Sequence, residues 1–207
     1  MNNLLQNKHY YTIETTSTGL FKDKGSKFLS FAYPVQSEIE IKEIVDQLRK
    51  KYYDARHHCY AFVLGADRLT HRANDDREPS GTAGKPILGQ IHSANLTNIL
   101  IVVVRYFGGT LLGTSGLANA YKQASIEAIA NAKIVEKTLK NLYQISFGFT
   151  TLNDVMKIIK DHQLIMSNEI FENNCSMEIQ INTFEKEIIL EKINKIDGLT
   201  LKYLRTE

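Results

Sequence analysis

The hydrophobic period changes repeatedly along the chain, and each change marks an element. Residues 10–14 alternate apolar and polar positions and predict a strand. Residues 19–23 and 27–33 predict two more, joined by a turn at Lys24-Gly25-Ser26. Ser37 followed three residues later by Glu40 has the spacing of a capping box, with Ser37 capping and Glu40 reaching back. Ile41, Ile44, Val45, Leu48 and Tyr52 then recur at helical spacing, so this helix buries one face. Residues 58–64 predict a strand, and the polar stretch 65–85 predicts a long loop of the kind that usually carries function. A short helix is expected over 86–94. Residues 99–104 form an unbroken Val/Ile-rich run and predict a central strand buried on both faces. A helix over 117–132 follows, and its alanines 118, 120, 124, 128 and 130 let it lie close against a sheet.

The pattern restarts near residue 142. A strand over 142–149, a helix capped by Thr151, strands over 164–171 and 175–182, a helix capped by Thr183 and ended by Asp197-Gly198, and a strand over 199–204 give the order β-α-β-β-α-β. This is the split-βαβ, ferredoxin-like plan. The reading is an α+β chain of two domains, 1–136 and 137–207, with the boundary near 135–141.

Charge sharpens this division. Residues 1–137 carry 17 Lys and Arg against 13 Asp and Glu, a net +4, whereas 138–207 carry 8 against 10, a net −2. Five of the six histidines also lie in the first part. A polyanion would prefer that part. With 43% hydrophobic and 23% charged residues the composition is that of a soluble globular protein, and no run approaches the ~18 apolar residues of a membrane span. The polar N-terminal residues lack the apolar core of a signal peptide, so a cytoplasmic location with no membrane association is expected. Cys59 and Cys175 form no CxxC pair, which argues against a structural disulfide or zinc site.

The chemistry concentrates in residues 75–116. Two glycine-rich loops, 80–84 and 108–116, bracket the apolar run 99–104. Glycines in such numbers serve positive φ or the close approach of another group. A strand, glycine loop and helix in succession can present backbone N–H groups to an anion. The second loop has neither a Walker A GK[ST] nor a GxGxxG pattern, and its Gly113–Gly116 spacing only resembles the GxxG of KH domains. The glycines could equally serve tight turning and helix packing.

Asp75, Asp76 and Glu78 could form a hard-metal cluster with His71 or His58, but no metal-ligand spacing is present, and acids in such loops more often hold turns. His58 and Cys59 face opposite sides of a strand and cannot form a dyad. Ser80 lacks the GxSxG elbow. Arg105 could pair with Glu78 or Asp76, or reach a phosphate; beside Tyr106 and Phe107 it could also help form a stacking surface. Arg49-Lys50-Lys51 and Arg56-His57-His58 form a modest basic patch.

Residues Glu78-Pro79-Ser80-Gly81-Thr82-Ala83-Gly84, followed by Arg105-Tyr106-Phe107-Gly108-Gly109-x-x-Leu112-Gly113, resemble the signature of the IMPACT/YigZ family. Ile87, Leu88, Ile91, Leu96, Val102 and Val103 also fit, and the whole chain resembles the bacterial two-domain branch. The resemblance implies an N-terminal domain similar to domain IV of elongation factor G and a C-terminal domain similar to its domain V. It implies translation-linked function, since the eukaryotic members regulate translation by binding the activator of a stress kinase. Some members are labelled proline dipeptidases, but this chain has no dinuclear-metal ligand set. The family usually has Gly between its acids, where this chain has Arg77; an arginine there argues against a positive-φ turn.

Three readings stand at this point: a non-enzymatic regulator that binds ribosome, rRNA or tRNA; a protein-interaction regulator with a protein partner; and an enzyme with phosphate or metal chemistry at the Asp76, Glu78 and Arg105 loops. The expected contact residues are Asp76, Glu78, Ser80, Gly81, Thr82, Gly84, Lys85, Arg105, Tyr106, Phe107, Gly108, Gly109 and Gly113, with no metal and no cofactor.

Overall fold

The computed structural model describes residues 9–206 and divides into two compact units, one of them Tyr10–Lys137, the other holding the chain from Thr138 onward. Both are mixed α/β with antiparallel sheets.

In the first unit, β1 (His9–Ile13) pairs with β7 (Ile134–Thr138), a strand where the sequence suggests only a boundary. The main sheet has the order β2-β3-β6-β4-β5, formed by β2 (Ser17–Asp23), β3 (Ser26–Pro34), β4 (His57–Leu64), β5 (Thr70–Asn74) and β6 (Ile99–Tyr106). β2 and β3 join through Lys24 and Gly25, both at positive φ, the tight two-residue turn whose twist suits a hairpin.

The central strand β6 explains the layers. Its side chains alternate, and both faces are covered. Ile99, Ile101 and Val103 pack with Cys59, Ala61 and Val63 of β4 against α2 (Gly84–Ser93) and α3 (Gly113–Ala130). Leu100, Val102 and Val104 pack with Phe62 and Leu64 against Ile41, Val45 and Leu48 of α1 (Glu38–Lys51). The two-sided burial read from the apolar run is therefore realised in an antiparallel sheet with helices on both faces.

The small residues of α3 allow the close packing expected of them. Ser30 Oγ donates to Ala124 O at 2.6 Å and Ser17 Oγ to Ala128 O at 2.7 Å, so the sheet touches the helix backbone. At α1 the Ser37 Oγ accepts from the Glu40 N–H as the capping box requires, whereas Glu40 reaches one residue further back, to the Gln36 N–H at 2.9 Å.

The second unit runs β8 (Lys140–Gly148), α4 (Leu152–Asp161), β9 (Ile165–Ile170), β10 (Asn174–Asn182), α5 (Lys186–Ile193) and β11 (Thr200–Thr206), with sheet order β11-β8-β10-β9. This is the β-α-β-β-α-β order that the periodicity predicts. Tyr143, Ile145, Phe147, Met177, Ile179 and Ile181 pack with Val155, Ile159, Ile189 and Ile193 of the helices. The two expected threonine caps do not form. Thr151 Oγ1 donates to Gly148 O and Thr183 Oγ1 to Leu139 O, so both hydroxyls hold strand ends.

Candidate functional site

The odd-numbered row of β6 does not end with its apolar residues. Arg105 follows Val103 on the same face, is 6% exposed, and points toward Glu78, which is 8% exposed. Arg105 Nη1 donates to Glu78 Oε1 at 2.6 Å. The same oxygen accepts from the Tyr121 hydroxyl of α3 at 2.8 Å, and His57 Nε2 stands 3.9 Å away. The guanidinium lies between two rings, 5.5 Å from the centroid of Phe28 and 5.7 Å from that of Phe107. Cys59 Sγ completes the cluster, 3.0 Å from Asp75 O and 3.3 Å from the Tyr121 hydroxyl. Burial pushes the Cys59 thiol well above its ordinary range and, together with Cys59 and Glu78, does the same to the Tyr121 phenol. Both stay protonated and act as hydrogen-bond partners.

Asp75 organises the first glycine loop. Its Oδ2 accepts from Gly81 N–H at 2.8 Å; its Oδ1 accepts from Ala83 at 3.0 Å and Gly84 at 2.7 Å. Burial alone would raise this carboxyl, but the bonds from Gly81, Gly84 and Ala83 and the charge of Lys85 outweigh it and hold the group below its ordinary value. The amides expected to cradle an external anion are thus taken by an internal carboxylate at the start of α2. Gly84 itself is required by contact: a Cβ there would lie 2.6 Å from Asn74 N. Thr82 is buried with its hydroxyl on Pro79 O at 2.6 Å, while Ser80 and Lys85 stay exposed.

Asp76 works on the opposite face. Its Oδ2 accepts from the His58 N–H at 2.6 Å, and its Oδ1 lies 3.4 Å from Arg49 Nη2. Burial lowers the His58 imidazole against the opposing pull of Asp76. Asp76 and Arg77 both have positive φ, and Glu78 N–H donates to Asp75 O at 2.8 Å. The turn therefore keeps the glycine-favouring conformation with an arginine in it, contrary to the expectation from the residue type.

The second loop is also divided. Tyr106 alternates away from Arg105 and donates its hydroxyl to Asp54 at 2.9 Å. Gly108 sits against the β2–β3 turn, where a Cβ would come within 1.9 Å of Gly25 C, and its N–H donates to Ser26 Oγ. Gly109 and Gly113 have open surroundings and positive φ. Gly113 to Gly116 belong to the first turn of α3, not to the loop.

Two adjoining clefts result. One, about 460 Å³, brings Glu78, Arg105, Phe107 and Gly113 together with Pro79 and Leu111. The other, about 850 Å³, gathers Arg49, Arg56, Arg77, His57 and His58 around Asp76, with Tyr53 beside them. Arg56 and His57 line both. Ser80, Gly81, Thr82, Gly84, Lys85, Tyr106, Gly108 and Gly109 line neither. The basic patch and the acidic loop meet here, where the His58 N–H donates to Asp76 at 2.6 Å. Among the described residues no group of three or more His, Cys, Asp or Glu side chains is arranged to hold a metal ion.

Residues 24–129, which contain both clefts, match the family profile described as the Impact N-terminal domain. The chain belongs to the IMPACT family. The IMPACT family member YvyE of Bacillus subtilis is 29% identical over 90% of this chain and 86% of its own length. The IMPACT family member YigZ of Escherichia coli is 36% identical over 66% of this chain and 68% of its own. A solved crystal structure of a hypothetical protein superposes with a TM-score of 0.78 at 27% identity, covering 96% of this chain and 98% of the other. The Bacillus subtilis relative and that structure, at 90% and 96% of this chain, thus match more than the IMPACT-type unit alone.

Proposed function

We propose that the protein is a non-enzymatic, translation-linked regulator whose first unit binds ribosomal or transfer RNA through the basic cleft. Family membership supports a role in translation regulation. The observation that carries the RNA reading is the convergence of Arg49, Arg56 and Arg77 with His57 and His58 in one cleft beside Tyr53, which is 85% exposed. Arg56 and Arg77 make no ion pair among the described residues, so their charge is available to phosphates. An exposed aromatic ring among arginines suits base stacking.

Arg105 plays a different part on this reading. It holds Glu78 and the loop that carries Asp76 and Arg77, and so shapes the cleft rather than supplying its charge. We further read the first unit as the counterpart of domain IV of elongation factor G and the second as that of domain V, with 1–136 as the binding domain.

Co-sedimentation with ribosomes and with bulk RNA across a salt series tests the proposal. Retention should fall log-linearly with salt, and Arg56→Ala with Arg77→Ala should lower the slope by about one per lost phosphate contact. Retention that ignores both salt and these substitutions would overturn it and favour an apolar protein partner.

A further inference from the structure

Each of the two adjoining clefts carries an exposed ring. Tyr53 lines the larger and is 85% exposed; Phe107 lines the smaller and is 43% exposed, with Leu111 beside it at 82%. Phe107 is propped from within. The Arg105 guanidinium stands over its ring, 5.7 Å from the centroid, and is itself tied to Glu78. A ring held in this way offers a pre-set surface to a planar partner at little cost in side-chain entropy.

The cations complete the pattern. Arg56 is exposed and common to both clefts, and Arg77 is exposed in the larger. The acids that line the clefts are spent inside the protein. Asp76 receives the His58 N–H and faces Arg49, while Glu78 receives Arg105 and Tyr121. His57, the other shared residue, is fixed with Nδ1 2.9 Å from Asp76 O. An approaching anion therefore meets the charge of Arg56 and Arg77, with an aromatic ring in the cleft on either side of Arg56.

We propose that the two clefts form one track for unpaired RNA, with one base stacked on Tyr53, a second on Phe107, and the backbone phosphate between them on Arg56. The proposal rests on the RNA reading and narrows it to single-stranded segments. Volumes of about 850 and 460 Å³ are those of small-ligand sites, which suits one nucleotide in each. A duplex keeps its base faces stacked inside, so it can use the two arginines but neither ring. Every base has a face to stack, so the track selects strandedness and not sequence.

The test is fluorescence anisotropy of the full chain with a labelled, unstructured RNA strand of about 12 nucleotides, alone and annealed to its complement. At one salt concentration the single strand should bind at least tenfold more tightly than the duplex. Tyr53→Ala and Phe107→Ala should each weaken single-strand binding by about tenfold. Both should leave duplex binding and the salt slope unchanged, because lost stacking releases no counterions. The chain has no tryptophan, so Phe107→Trp supplies a sole indole and keeps a ring over Arg105. Its fluorescence should change on adding the single strand and not the duplex. A duplex bound as tightly as the strand, or an indole signal that the strand leaves unchanged, would overturn the track. The RNA reading fails on a separate readout, the sedimentation of the Arg56 and Arg77 variants.

Discussion

Arg105 and Glu78 meet at 2.6 Å with their side chains 7% and 3% exposed, and they join the end of the central strand to the loop that carries Asp76 and Arg77. A pair this buried is costly to form and more costly to break, because a lone survivor would be an uncompensated charge. Arg105→Met should therefore lose about 3–5 kcal/mol in urea unfolding. Replacing the whole set, Arg105→Met with Glu78→Leu and Tyr121→Phe, should recover most of that loss, since no buried polar group is then left unmatched. A triple variant no more stable than the single would show that the cluster stabilises by more than its internal pairing.

Arg77 predicts two effects of opposite sign. A non-glycine residue at φ +71 is strained by about 1–2 kcal/mol, part of which glycine would return as unfolded-state entropy. Arg77→Gly should raise stability by about 0.5–1 kcal/mol. The same change should weaken RNA retention and flatten its salt dependence. Thermal unfolding beside sedimentation separates the two effects; a loss of stability would mean that the Arg77 side chain contributes to packing.

Asp75 sets the acid limb of stability. Its folded carboxyl lies below its ordinary value of 3.8, so its contribution is fully present above that value and is lost as the pH falls through the depressed folded value. Asp75→Asn, with one acceptor oxygen in place of two, should cost about 1–2 kcal/mol near neutrality. It should also flatten the pH dependence of unfolding below about pH 4. Parallel acid limbs for the two proteins would assign that limb to other carboxylates.

Cys59 should behave as an inert core thiol. It is fully buried, and burial raises its pKa. A thiol reagent at mildly alkaline pH should modify it only as fast as the first unit opens, so added urea should speed the reaction in step with unfolding. Rapid modification in the native protein would place Cys59 in a more open setting.

Much of this fold is legible because period and burial coincide. The run Ile99 to Val104 reads as a two-sided strand, and the second unit reads element by element from its alternation. β5 leaves no periodic signal, because Thr-His-Arg-Ala-Asn lies on the sheet edge, where exposed polar residues carry no alternation. The start of α3 reads as loop because Gly113 and Gly116 signal turns, while the packing that makes them helical comes from Leu117, Ala120 and Tyr121 further along. Within the site, the Arg105 pairing was one of several options in the sequence. The capture of three loop amides by Asp75 was not, because it depends on a fold-back that residue types do not encode.

The row formed by Ile99, Ile101, Val103 and Arg105 has a consequence for how such a protein can change. These side chains are successive rungs of one ladder, so a one-residue insertion or deletion within β6 would turn the guanidinium toward α1 and bring Val104 or Tyr106 under α3. Substitutions that adjust the packing of α3 likewise move the helix start that faces Phe107. In this chain the wall of the cleft and the interior of the sheet are a single inheritance, and variation in what the cleft accepts is easiest on its outer rim, at Arg56, Leu111 and Thr114.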